Sequence, residues 1–202
     1  MQEIVPLEEG CVYHIYNRGI NGENIFREER NYHHFLSLYA KYVFPVADTF
    51  AYCLLKNHFH FLVRIKDVHE FNPDRVQNPV RVKNYVSRKF SHMFNSYAQS
   101  INSAFNRTGG LFETPFKRKK VTAEAYFTAM IGYIHLNPVK HRFVKSPEEY
   151  IWSSYHSFLS NRPTKLNREE VLSWFGGVKE FKDFHQAQLN EKEIEAFIIE
   201  MD

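Results

Sequence analysis

Two histidines stand one residue apart in the apolar run LLKNHFHFLVRI, residues 54–65. Residues two apart on a strand point to the same face, so His58 and His60 project together while Phe59 and Phe61 turn to the other side. Two imidazoles so placed can hold one divalent cation. The same spacing also suits two histidines hydrogen-bonded to their neighbours on an exposed sheet face. A histidine-triad nucleotide hydrolase would need a third histidine where Leu62 stands. A two-histidine phosphoesterase would need a second His-x-Thr/Ser element, which the chain lacks.

A second group lies in GYIHLNPVKH, residues 132–141. Tyr133 and Asn137 are four apart at the end of a predicted helix and share a face, with His135 turned away. They read either as a core aromatic and a helix-ending residue, or as a nucleophile and a third metal ligand through the amide oxygen. A phenol with its ordinary pKa near ~10 attacks poorly unless its target is activated. A metal ion on a scissile phosphate supplies that activation as a Lewis acid. The third group is the basic run Lys117, Arg118, Lys119 and Lys120. A strand splits such a run between two faces, so half of it at most lines one groove, whether as solvated charge or as phosphate contacts.

Hydrophobic periodicity predicts the elements that position these groups. CVYHIYN (11–17) reads as a strand closed by the turn-like RGING. Residues 28–44 alternate at three and four as an amphipathic helix stopped by Pro45. Residues 49–55 and 58–65 form two strands joined tightly at Lys56-Asn57 as an antiparallel hairpin. A long helix follows, capped by Asn78 with Pro79 at its first position and ended by RTGG. FKRKKV is a short basic strand, and Thr122 caps a last helix that Pro138 ends. The order strand, helix, strand, strand, helix, strand predicts an α+β chain with a ferredoxin-like antiparallel sheet. Its helices pack on one face, and further C-terminal helices are added. Residues 1–160 would form the catalytic domain and 161–202 a small helical tail, with LSNRPTKLNREE (159–170) as the linker candidate.

Composition narrows the class. Of 202 residues, 44% are hydrophobic and 24% charged, as in an ordinary globular chain. The aromatic share is high, with 19 Phe and 12 Tyr, and the net charge of +3 is compatible with nucleic acid. Two cysteines, Cys11 and Cys53, make neither a disulfide framework nor a four-ligand zinc site, which points to a reducing cytoplasm. MQEIVPLEEG lacks the apolar core of a signal peptide, and no run reaches the roughly 18–20 residues of a membrane span.

Five ordered blocks resemble one family: YHIYNRG (13–19), YCLLKNHFHFLV (52–63), GGLFETPFKRKKV (109–121), YIHLNPVK (133–140) and PEEYIWSSY (147–155). They are similar to the REP-associated tyrosine transposases, which belong to the single-tyrosine HUH transposases. The resemblance covers roughly residues 5–160. It implies a ferredoxin-like domain that cuts and rejoins hairpin-forming single-stranded DNA with Mg²⁺ or Mn²⁺. On matching positions, Tyr133 would be the nucleophile and His58, His60 and Asn137 the metal ligands. Asn17, Arg18, Lys117, Arg118, Lys119 and Lys120 would contact DNA. A monomer and a homodimer are both compatible with this reading. Two rivals are a non-catalytic, domesticated hairpin-binding module and a metal-dependent phosphodiesterase that forms no covalent adduct.

Overall fold

The computed structural model describes residues 5–67, 79–122 and 125–190. Strand β1 (Val12–Arg18) leads through a short 3₁₀ turn to helix α1 (Glu29–Tyr42). Strands β2 (Ala47–Leu54) and β3 (His58–Ile65) form the predicted hairpin, whose turn is closed by Leu55 N–H donating to the His58 carbonyl. Helix α2 (Pro79–Ala104), strand β4 (Lys117–Val121) and helix α3 (Ala125–Lys140) follow. Helices α4 (Tyr155–Leu159), α5 (Arg168–Phe175) and α6 (Val178–Asn190) complete the described chain. The predicted cap Asn78 and residues 191–202 of the predicted tail lie outside the described residues.

All strand pairs are antiparallel and the order is β2-β3-β1-β4, the ferredoxin-like arrangement with β1 and β3 central. Helices α1 and α2 cover one face. Phe35 and Tyr39 of α1 and Phe90, Met93 and Tyr97 of α2 meet Tyr13, Ile15, Phe59, Phe61 and Val63 there. The added helices cover the opposite face, where Met130, Ile131 and Ile134 of α3 pack with Phe50, Leu62, Tyr155, Val171 and Phe181. With both faces covered, the central strands are apolar on both sides, which accounts for the almost unbroken hydrophobic run around the two histidines. No described helix is long and apolar enough to cross a membrane.

One helix boundary differs from the sequence expectation. Helix α3 runs through Pro138 to Lys140. Proline removes only its own N–H from the ladder, and the last turn is closed instead from beyond it. Phe143 N–H donates to the Pro138 carbonyl and Arg142 N–H to the Val139 carbonyl, the bond pair of a Schellman cap. Arg142 takes the left-handed position of that cap with φ of 59°, where glycine is the usual occupant. The turn brings His141 and Phe143 back toward the end of β3.

Candidate active site

Strand β3 crosses the centre of the sheet with His58 and His60 turned toward α3, and α3 presents Tyr133 and Asn137 to them. His58 Nε2 lies 3.2 Å from Asn137 Oδ1. The Tyr133 ring stands edge-on to His60, with centroids 5.4 Å apart. These four side chains, 79 residues apart in sequence at the widest, share one place, and Tyr133, His58 and His60 line a cleft of about 460 Å³. Asn137 is buried behind them.

A third histidine joins them. His14 Nε2 is 2.9 Å from His60 Nδ1, and the two rings are stacked. Both are buried, while His60 Nε2 has no hydrogen-bond partner among the described residues. If His60 Nδ1 carries the proton, His14 accepts it and the His60 Nε2 lone pair is left for a cation. This is the usual way an outer partner fixes the tautomer of a ligating imidazole. Alternation in YHIYNRG puts His14 on the face of Tyr16, but only the pairing of β1 with β3 shows that this face is the one His60 occupies.

The geometry at His58 bears on the metal. Its Nδ1 is 2.7 Å from Asn57 Oδ1, an atom that only accepts, so Nδ1 carries the proton; in the neutral ring Nε2 then presents a lone pair. That lone pair faces the Asn137 oxygen, and Asn137 Nδ2 is buried with no partner among the described residues. In the neutral ring two acceptors then stand 3.2 Å apart, a repulsion that a cation between them would relieve, as would a second proton on His58 that turns Nε2 into a donor. Neighbouring ligands of an octahedral ion with bonds of about 2.1 Å stand about 3 Å apart, so the separation suits one. Among the described residues no three His, Cys, Asp or Glu side chains gather as a ligand set, so the third protein donor would have to be the Asn137 amide. The residues fit a divalent cation held by neutral donors, without a carboxylate.

The basic run divides between two faces. Lys117 pairs opposite Tyr16 and Lys119 opposite His14, which puts both on the histidine side of the sheet; Lys117 lines the cleft. Arg118 turns to the other side, donating to Ser87 Oγ at 2.8 Å, and Lys120 pairs with Glu8 at 2.6 Å. At the cleft edge Arg18 Nε donates to Glu113 Oε1 at 2.6 Å, and Asn17 Nδ2 donates to the Glu113 carbonyl at 3.0 Å. Three further cleft residues escaped the sequence reading: Lys140, 5.9 Å above the Tyr133 ring centroid; His141, 4.9 Å from the His58 ring; and Phe143. All three follow Asn137 closely, and the expectation that Pro138 ends the helix hid them.

Behind α3 a second polar chain fixes its orientation. His185 Nδ1 donates to the Phe181 carbonyl at 2.7 Å, so its Nε2 accepts from His135 Nδ1 at 3.0 Å. His135 Nε2 then accepts from Ser154 Oγ at 2.7 Å. Gly132 stands where α6 crosses: a Cβ there would come within 2.7 Å of the Phe184 ring. Residues from the C-terminal segment therefore pack directly on the helix that carries Tyr133.

Burial holds all four of these histidines neutral, with His14 lowered to about 3, His185 to about 4, and His60 and His135 well below the ordinary 6.5. Below pH 6.5 the unfolded chain binds protons that the folded chain refuses, so stability falls as pH drops from there toward the folded values. By about pH 5, His14 and His185 should each have cost about 2 kcal/mol relative to neutral pH. Urea unfolding at both pH values checks this, and equal midpoints would contradict neutral burial.

Comparison with known proteins follows the same lines. No protein-family model matches the chain. It is 24% identical over 111 residues to a Haemophilus influenzae protein named "Putative REP-associated tyrosine transposase". That match covers 54% of this chain and spans 59% of the relative's length. A solved structure of a REP-associated tyrosine transposase bound to a REP hairpin superposes with a TM-score of 0.53 at 15% identity. The superposition covers 81% of this chain and 89% of the other, and shares the fold. In sequence and in fold, the chain resembles the REP-associated tyrosine transposases.

Proposed function

We propose that this chain cleaves and rejoins hairpin-forming single-stranded DNA in the cytoplasm through a 5′-phosphotyrosine intermediate. The observation that carries the reading is the convergence of Tyr133 on two histidines in one cleft, with the Asn137 amide buried behind them against His58. The relative's name and the hairpin in the superposed structure support the substrate class. His58 Nε2, His60 Nε2 and Asn137 Oδ1 would hold Mg²⁺ or Mn²⁺, which when bound supplies Lewis-acid polarisation of the scissile phosphate. The Tyr133 oxygen attacks phosphorus, the phosphotyrosine bond forms, and the P–O3′ bond breaks to release a 3′-hydroxyl. A second 3′-hydroxyl reverses the exchange and returns the phenol. One phosphodiester is exchanged for another, so no nucleotide cofactor is consumed. Lys140 and Lys117 place positive charge beside the reacting phosphate, and the exposed Phe143 offers a ring for an unpaired base.

Incubating the protein with a hairpin oligonucleotide and Mn²⁺ should yield a denaturation-resistant protein–DNA adduct that chelation prevents. Binding without any adduct would favour a non-catalytic hairpin-binding module, and cleavage without an adduct a phosphodiesterase.

The division of the basic run gives a second expectation. Neutralising Lys117 and Lys119 together should flatten the salt dependence of DNA binding by about 1.4 in log K against log salt, about 0.7 for each lost phosphate contact. Lys120→Gln should leave the slope unchanged, because Glu8 already occupies that ammonium. Titrations at several salt concentrations measure both. A slope that moves with Lys120 alone would place the strand on the wrong face of the sheet.

A further inference from the structure

Three buried polar side chains behind α3 lie outside the cleft: Ser154, His135 and His185. Their protons run in one direction. The Tyr52 N–H of β2 donates to Ser154 Oγ at 2.9 Å, and Ser154 donates in turn to His135 Nε2. His135 Nδ1 donates to His185 Nε2, and His185 Nδ1 to the Phe181 carbonyl of α6. Every ring nitrogen is paired, and the chain ties the sheet, α3 and α6 together through His135. Successive residues of a helix are about 100° apart, so His135 stands about 200° from both Tyr133 and Asn137, on the far side of α3.

A buried polar chain adds little stability over an apolar contact of the same shape. What it adds is direction. The core contacts of α3 come from Met130, Ile131 and Ile134, which press the helix to its neighbours without fixing its rotation or its position along its axis. On the cleft side the Asn137 oxygen meets His58 Nε2 at 3.2 Å, which with a neutral imidazole pushes the helix away. The attachment that keeps Tyr133 and Asn137 in place before a cation or DNA arrives is therefore on the back of the helix. Gly132 marks the same seam, since a Cβ there would stand 2.7 Å from the Phe184 ring of α6.

We propose that Ser154 and His185 are positioning residues for the strand-transfer reaction: through His135 they set the rotation and axial position of α3, and so where Tyr133 and Asn137 stand. The catalytic unit then extends through α6 instead of ending near residue 160. This rests on the DNA-processing reading above and deepens it. Misplacing a reacting group by about 1 Å can cost about 10²-fold in rate, so a loosened helix shows in the chemistry before it shows in binding.

The test is single-turnover adduct formation on a saturating hairpin oligonucleotide with Mn²⁺, whose amplitude reads the folded fraction and whose rate constant reads the chemical step. His185→Ala should keep the amplitude and lower the rate constant by about 10–100-fold. His185→Gln should recover most of that loss, because its amide oxygen can accept from His135 while its N–H donates to the Phe181 carbonyl. Ser154→Ala should behave as His185→Ala does. Hairpin affinity should hold in all three, since none of these residues lines the cleft. Calorimetric titration with Mn²⁺ gives a second reading: affinity should fall in His185→Ala and return in His185→Gln, because Asn137 moves with the helix. Should His185→Ala fail to fold, Gly132→Ala makes the same comparison. Alanine favours the helix, so any slowing comes from the Phe184 ring, and adding Phe184→Leu should relieve it. The inference is overturned if His185→Ala lowers the amplitude at an unchanged rate constant, as a purely structural role requires. It is overturned as well if glutamine recovers nothing, or if rate constant and Mn²⁺ affinity both stay at the wild-type values. If wild type forms no adduct but the Mn²⁺ affinities keep this order, the DNA-processing reading falls alone; if they do not, both fall.

Discussion

Tyr133→Phe protein should bind a hairpin oligonucleotide nearly as wild type does and form no covalent adduct. The substitution removes one oxygen and keeps a ring that is 7% exposed and packs edge-on against His60 and His14. It touches no proposed metal donor, so cation binding should persist. Loss of an attacking group typically costs about 10³-fold or more in rate, because binding and charge stabilisation cannot replace the bond it forms. Denaturing gels after incubation with Mn²⁺ read the outcome. The cleft contains a second phenol, Tyr16, whose ring stacks on His14 at 4.6 Å. An adduct surviving in Tyr133→Phe and vanishing in Tyr16→Phe would move the nucleophile from α3 to β1.

His60→Ala should lose Mn²⁺ binding and folding stability together, whereas His58→Ala should lose Mn²⁺ binding with little change in stability. His60 is buried and its Nδ1 meets His14 Nε2, so truncation strands a second buried imidazole, whose Nδ1 already has no partner among the described residues. An orphaned buried polar group costs about 1–3 kcal/mol. His58 is half-buried at the cleft edge, and water can replace its bond to Asn57. In both variants the affinity should fall by more than the about 10–100-fold typical of losing an outer hydrogen-bond partner of a ligand. Calorimetric titration with Mn²⁺ and urea unfolding separate the two effects. If neither variant alters Mn²⁺ binding, Asn57 is turned over, His58 donates to Asn137, and the pair is a structural hydrogen bond.

Local periodicity accounts for much of what the sequence by itself determined. A repeat of two put His58 and His60 on one face and divided Lys117 and Lys119 from Arg118 and Lys120. A repeat near 3.6 put Tyr133 with Asn137 and turned His135 away. Element order then led to the four-stranded antiparallel sheet, because short connections and crossover rules leave few topologies. These features depend on neighbours in the chain, and the structure has each of them.

Which faces meet is a long-range matter, and only the tertiary structure decided it. The pairing of β1 with β3 joins His14 to His60 across 46 residues. The packing of α3 on the side of the sheet away from α1 and α2 buries His60, where an exposed face was the simpler expectation. The same sidedness turns Arg118 away from the cleft. The run of α3 through Pro138 was hidden for a related reason: the rule that proline stops a helix counts the lost ladder bond. It cannot count the bonds that Arg142 and Phe143 return from beyond the helix end, nor, therefore, the delivery of His141 and Phe143 to the site. Burial of one face against another is a sum over contacts distant in sequence, and no local window of residues contains it.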